Sequence, residues 1–164
     1  MEQARHDRQA EWSVAVKNVA KCLWIGALLL FVAVPFGPAA AGAPHKLALQ
    51  VSDNDADKMN AVLNVAANVS RHYAAKGEEV IIQIVAFNAG LHMLRDDTSP
   101  VKERLASFAA SMPDVSFKAC GNTLDTIAKK EGRKPGIFGN AEIVQTGVVT
   151  LIKLGEQGWT IVRP

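Results

Sequence analysis

Of the two cysteines in this 164-residue chain, Cys120 stands where a thiol can do chemistry. It follows the run Val115 to Ala119 (V-S-F-K-A), which reads as a strand, and precedes Gly121-Asn122-Thr123, which opens a helical stretch. At such a junction the free N–H groups of a helix start and its dipole favour an anion, so a thiol there loses its proton more easily and its thiolate is the nucleophile. Gly121 leaves room for the close approach of another chain or a ligand. The same spacing also suits a small packed residue, since free cysteine is among the most buried residue types.

Two further loops contribute polar groups to the same reading. Ser52-Asp53-Asn54-Asp55 follows a first strand and Asn88-Ala89-Gly90-Leu91-His92 follows a second, and in open α/β sheets the carboxyl ends of the strands share one edge where ligands bind. A crevice with Cys120 as the catalytic thiol, and with Gly121, Asn122, Asn88, His92 and Asp53 binding the substrate, is the site this spacing predicts. His92 has the chemistry to orient or deprotonate a thiol. His72, beside Arg71, belongs to the polar side of a helix. Asp53, Asp55 and Asp57 resemble the opening of a calcium loop, but Lys58 stands where that loop needs glycine and Asn64 where it needs the closing glutamate, so helix capping is the better reading and no metal is expected. No G-x-G-x-x-G follows the first strand, and neither G-x-x-x-x-G-K nor G-x-S-x-G occurs, so dinucleotide, P-loop and serine-hydrolase chemistry lack support and no cofactor is expected.

The elements that must position these groups alternate. Leu47 to Val51 reads as a strand, and Ala56 to Ala75 as a helix with the stripe Met59, Val62, Leu63, Ala66, Val69 and Tyr73. Glu79 to Phe87 (E-V-I-I-Q-I-V-A-F) has the β-branched continuity of a strand buried on both faces. A helical turn over Leu91 to Arg95 and a helix opened by Ser99-Pro100 and running to Ser111 come next. After the third strand, Asn122 and Asp125 fit an N-cap and its partner for a helix that Gly132 ends. Arg133 to Ala141 reads as a loop, Glu142 to Gln145 as a fourth strand, Gly147 to Gln157 as a helix with the stripe Val148, Leu151 and Ile152, and Trp159 to Val162 as a last strand. The cluster Lys129, Lys130, Arg133 and Lys134 reads as a solvated helix end. This alternation predicts an α/β fold, a three-layer α/β/α sandwich around a mostly parallel five-stranded sheet.

Composition agrees with one folded domain: 49% of residues are hydrophobic and the net charge is only +2, which excludes long disorder and a binder of nucleic acid resting on a basic footprint. Leu23 to Val34 is an apolar run preceded by Lys17 and Lys21 and followed by small residues at Ala39-Ala40-Ala41. It is too short to span a bilayer and has the layout of a secretory signal, which predicts a signal peptide over residues 1–41, cleavage near Ala41, and an exported domain over 42–164 with no stable membrane anchor. Cys22 precedes the apolar run and leaves with the signal. Cys120 is then the single thiol of the exported domain.

The stretches L-A-L-Q-V-S-D-N-D, I-V-A-F-N-A-G-L-H-M-L, F-K-A-C-G-N-T and V-Q-T-G-V-V-T-L-I-K-L-G-E-Q-G-W occur in this order, and together they resemble the DsrE/DsrF-like family of small sulfur-relay proteins. The resemblance spans about Lys46 to Pro164. It implies the three-layer α/β/α fold, a homo-oligomer of trimeric or hexameric kind, and a protein donor or acceptor of sulfur as partner. It places on Cys120 the carriage of sulfane sulfur as a persulfide, while Asn88, Gly90 and His92 match a neighbouring loop. With the signal-like segment, the expectation is a periplasmic sulfur carrier or sulfurtransferase. The alternative is a non-catalytic oligomeric module that binds a small ligand or a partner, with Cys120 packed.

Overall fold

The computed structural model describes residues 42–164; the signal-like segment 1–41 and Cys22 lie outside the described residues. The chain runs through β1 (His45–Val51), α1 (Ala56–Ala74), β2 (Val80–Ala86), a 3-10 helix (Asn88–Leu94), α2 (Lys102–Ser111), β3 (Val115–Cys120), α3 (Gly121–Glu131), β4 (Ala141–Val144), α4 (Gly147–Glu156) and β5 (Thr160–Val162). Every strand pairing is parallel, in the order β4-β3-β2-β1-β5. Leu49 sits opposite Ile84 on one side and Val162 on the other, and Ile84 in turn opposite Phe117.

That order dictates where the helices go. From β1 to β4 each crossover steps to the next strand in one direction, and right-handed crossovers of that kind all lay their helices on one face. The last crossover, α4, reverses and carries the chain from the β4 edge to the β5 edge, so it lands on the opposite face. Packing follows this division. On the first face Leu49, Ile84 and Phe117 are buried with Met59 and Leu63 of α1, Leu105 of α2 and Leu124 of α3. On the second, Ala48, Val85, Phe87 and Cys120 are buried with Leu151 and Leu154 of α4 alone, with Trp159 packed against them. The result is the expected three-layer sandwich, with an all-parallel sheet.

Local chemistry explains the element boundaries. Asp55 caps α1, its carboxylate accepting from the N–H groups of Asp57 (2.9 Å) and Lys58 (3.1 Å). The α1 stripe is as expected, with Met59, Val62, Leu63 and Ala66 buried. Helix α2 begins at Lys102, not at the Ser99-Pro100 step; the Ser99 hydroxyl donates to the Met93 carbonyl (2.6 Å) and accepts from the Val101 N–H (3.3 Å), fixing the turn ahead of the helix. The stripe of α4 is rotated from the expected one. Gly147, Leu151 and Leu154 face inward, while Val148 and Ile152 are 47% and 55% exposed. Gly147 sets this rotation: a Cβ there would stand 3.0 Å from Phe87 Cβ, so its bare backbone is what lets the helix start press onto the sheet.

The stretch Arg133 to Ala141 is more than a loop. Ile137 forms an antiparallel bridge with Arg95, and Phe138 packs edge-to-face on Phe117 with ring centroids 5.9 Å apart. Arg95 itself is only 3% exposed, and its guanidinium forks onto Asp97 (2.9 and 2.8 Å) and Glu131 (2.6 and 3.0 Å). A desolvated guanidinium needs such bidentate partners, and they hold it charged and hold both carboxyls below the usual carboxylate range. The 3-10 helix is thereby tied to the end of α3.

Candidate functional site

The carboxyl ends of β2 and β3 open into a cleft of about 640 Å³ whose lining includes Asn54, Asn88, His92, Cys120, Asn122 and Thr123. It exists because β3 runs into α3 with no intervening residue, while the 3-10 helix leaves β2 just beside it. Gly90 makes that departure possible: a Cβ on it would come within 2.4 Å of the Val51 carbonyl oxygen, so no other residue lets the turn lie on the end of β1.

Cys120 is 4% exposed and lies at the bottom of the cleft. Two helix starts meet at this residue, which is itself the N-cap of α3. Neither α3 nor α4 has a side-chain cap at its N-terminus, and Gly147, the first residue of α4, donates its N–H to Cys120 Sγ at 3.2 Å. Burial pushes the thiol up, but the Gly147 N–H on its sulfur and the donor groups of Thr123 and Asn122 nearby outweigh it, leaving Cys120 below the ordinary thiol range. The sulfur is therefore shielded from bulk water yet surrounded by donors that suit a thiolate.

Of the residues expected to bind substrate, Asn88, His92 and Asn122 line the cleft with Cys120. Their roles differ from expectation. Asn122 is not the N-cap of α3, a place taken by Cys120; its side-chain amide donates instead to Thr146 Oγ1 (3.0 Å), tying the α3 and α4 starts together. His92 shares a hydrogen bond with Thr98 Oγ1 (3.2 Å) through Nδ1. Gly121 does not line the cleft: a Cβ there would meet the Val144 carbonyl oxygen at 3.1 Å, so the close approach it permits is that of its own neighbouring strand. Asp53 is likewise outside the lining and binds Lys58 (2.9 Å) and Arg163 (2.8 Å), which hold its carboxyl below the usual range. It clips the β1–α1 loop to the C-terminal end of the chain. Asp55 is committed to its cap, and no group of three or more potential metal ligands occurs among the described residues.

Thr123, Thr146 and Lys130, which the sequence reading does not assign to the site, all line the cleft. Thr123, Thr126, Ile127 and Lys130 recur at helical spacing and form the wall that α3 presents. That period was readable once the helix start was fixed. Thr146 and Gly147 follow β4, so the strand-end argument applied to the first three strands reaches them too. Lys130 and Arg133 are exposed at the end of α3 as expected, and in addition Lys130 lines the cleft and Arg133 donates to Asp97 (3.1 Å).

No family model matches the sequence, and no curated protein does. Among solved structures, the chain is similar to that of a protein of unknown function from Methanobacterium thermoautotrophicum, at 23% sequence identity and a TM-score of 0.60, over 73% of this chain and 99% of that one. At that identity the likeness establishes the α/β fold.

Proposed function

We propose that the chain is an exported sulfur carrier of DsrE-like type, in which Cys120 takes up sulfane sulfur as a persulfide and passes it on. The observation that carries this reading is the meeting of two helix starts at one cleft cysteine, the N-cap of α3, whose sulfur accepts the first N–H of α4. The Cys120 thiolate attacks the terminal sulfur of an organic persulfide, R–S–S⁻. One S–S bond breaks and one forms, giving Cys120–S–S⁻ and R–S⁻ with no net oxidation. An acceptor thiolate attacking the outer sulfur of Cys120–S–S⁻ reverses the bookkeeping and restores the Cys120 thiolate. The donors around Sγ favour its anionic form at both ends of the cycle. Export to the periplasm and assembly into a trimer or hexamer belong to the same proposal. They are supported by the signal-like segment and by the exposed apolar side chains of α4.

The 4% exposure of Cys120 favours a second reading, a binding module in which the thiol is only packed. One experiment separates the two. The full chain carrying Cys22→Ser is incubated with glutathione persulfide and its intact mass is measured. A gain of one sulfur atom that Cys120→Ser abolishes supports the carrier; no gain in the folded protein overturns it and leaves the binding module.

A further inference from the structure

Asn88 has a left-handed backbone, with φ of +49°, the one such non-glycine residue among those described. A residue with a Cβ adopts that conformation at a cost, though asparagine tolerates it better than most, and such residues collect where a site needs a group aimed. The turn is fixed on both sides, by extended Phe87 before it and by Gly90 lying against the Val51 carbonyl after it. Its result is that the Asn88 N–H donates to Thr123 Oγ1 at 3.1 Å. A hydroxyl that accepts one hydrogen bond keeps its own proton free to donate. Thr123 sits in the first turn of α3, three residues after Cys120, and both side chains line the cleft.

We propose that Thr123 is a positioning residue for the Cys120 thiolate, with the left-handed turn at Asn88 holding its hydroxyl oxygen so that its proton is turned onto Cys120 Sγ. The inference rests on Cys120 being the reacting thiol of the proposed relay. It gives the strained turn a purpose: the start of the 3-10 helix sets a donor on a side chain of α3. The other titratable groups that line the cleft are His92 of the 3-10 helix and Lys130 and Glu131 of α3. Glu131 is already neutralised by Arg95, and none of the three is altered in the test.

The test is the pH profile of Cys120 alkylation by iodoacetamide in the full chain carrying Cys22→Ser, compared with the same chain carrying Thr123→Val or Thr123→Ser. Thr123→Val keeps the branch and removes the hydroxyl, and it raises the midpoint by about one pH unit, seen as about tenfold slower alkylation on the acid side. Thr123→Ser restores the parent profile. A Thr123→Val profile that superimposes on the parent overturns the inference; should that variant fail to melt cooperatively, Thr123→Ala carries the same comparison. Sulfur uptake measured alongside keeps the two ideas apart. A parent that shows the shift on Thr123→Val but gains no sulfur sinks the relay and leaves Thr123 in its role. A parent that gains sulfur, with an unshifted Thr123→Val, sinks only the role of Thr123.

Discussion

The two faces of the sheet are closed in different ways. Three helices bury one face, where Leu49, Ile84 and Phe117 interlock with side chains from α1, α2 and α3. One helix covers the other, and there Ile81 and Ile161 stay about two-fifths exposed, Ile161 even though its Cδ1 lies against Gly155 of that helix. The asymmetry comes from chain order alone, since three crossovers step one way and a single one steps back. What it teaches is a division of labour. The thickly covered face holds the fold, and the thinly covered face holds the thiol.

Three substitutions sharpen or break that comparison. Phe117→Ala opens a void under three helices and is expected to lower the unfolding free energy by about 4 kcal/mol in urea titration. Leu151→Ala empties a site beneath one helix that can settle inward, so about half that loss is expected. Equal losses would show that the second face is as tightly held as the first. Smallest in the isolated chain is Ile152→Ser on the outer side of α4, expected to change stability by less than about 0.5 kcal/mol. A large loss that fades on dilution would instead mean that another copy covers α4, and that in the assembly both faces are thick.

A pH measurement gives a fourth and subtler contrast. The Cys120 thiol is held below its ordinary range in the folded chain, burial raising it and the Gly147 N–H and the nearby Thr123 donors lowering it by more. A lowered folded value means the thiolate stabilises the fold at pH above the unfolded value, and that this contribution disappears as pH falls through the folded one. The stability difference between the parent and Cys120→Ser is therefore expected to widen from neutral to mildly alkaline pH. A difference that narrows over that range would reverse the assignment.

Much of this was legible in the residues, and what was not has physical causes. The β-branched run of β2 and the stripe of α1 announce themselves, because burial on both faces and burial on one face leave different periods. The Cys120 junction is likewise visible as a strand meeting Gly121-Asn122-Thr123. The orientation of α4 was not, since Val148, Val149 and Ile152 on its outer side are as apolar as the Leu151 and Leu154 that face in, and they blur the polar side marked by Lys153 and Glu156. Asp53 and Gly121 were assigned to the site because strand ends share an edge, yet an edge is wider than a cleft. Asp53 answers to Lys58 and Arg163, the second of them far off in sequence, which no local pattern announces. Arg95 escaped notice for the same reason, its partner Glu131 being 36 residues away.

The passage from β3 to α3 without a connecting residue bears on how any cargo could move. Cys120 ends a strand paired on both sides and begins a helix, so its backbone has no slack in either direction. A thiol on a loose tail can travel between stations; this one is moored. Whatever it receives has to be brought to it, and whatever it gives has to be collected from the same berth. The traffic then depends on how far a visiting group can protrude into the cleft, and on how briefly it stays.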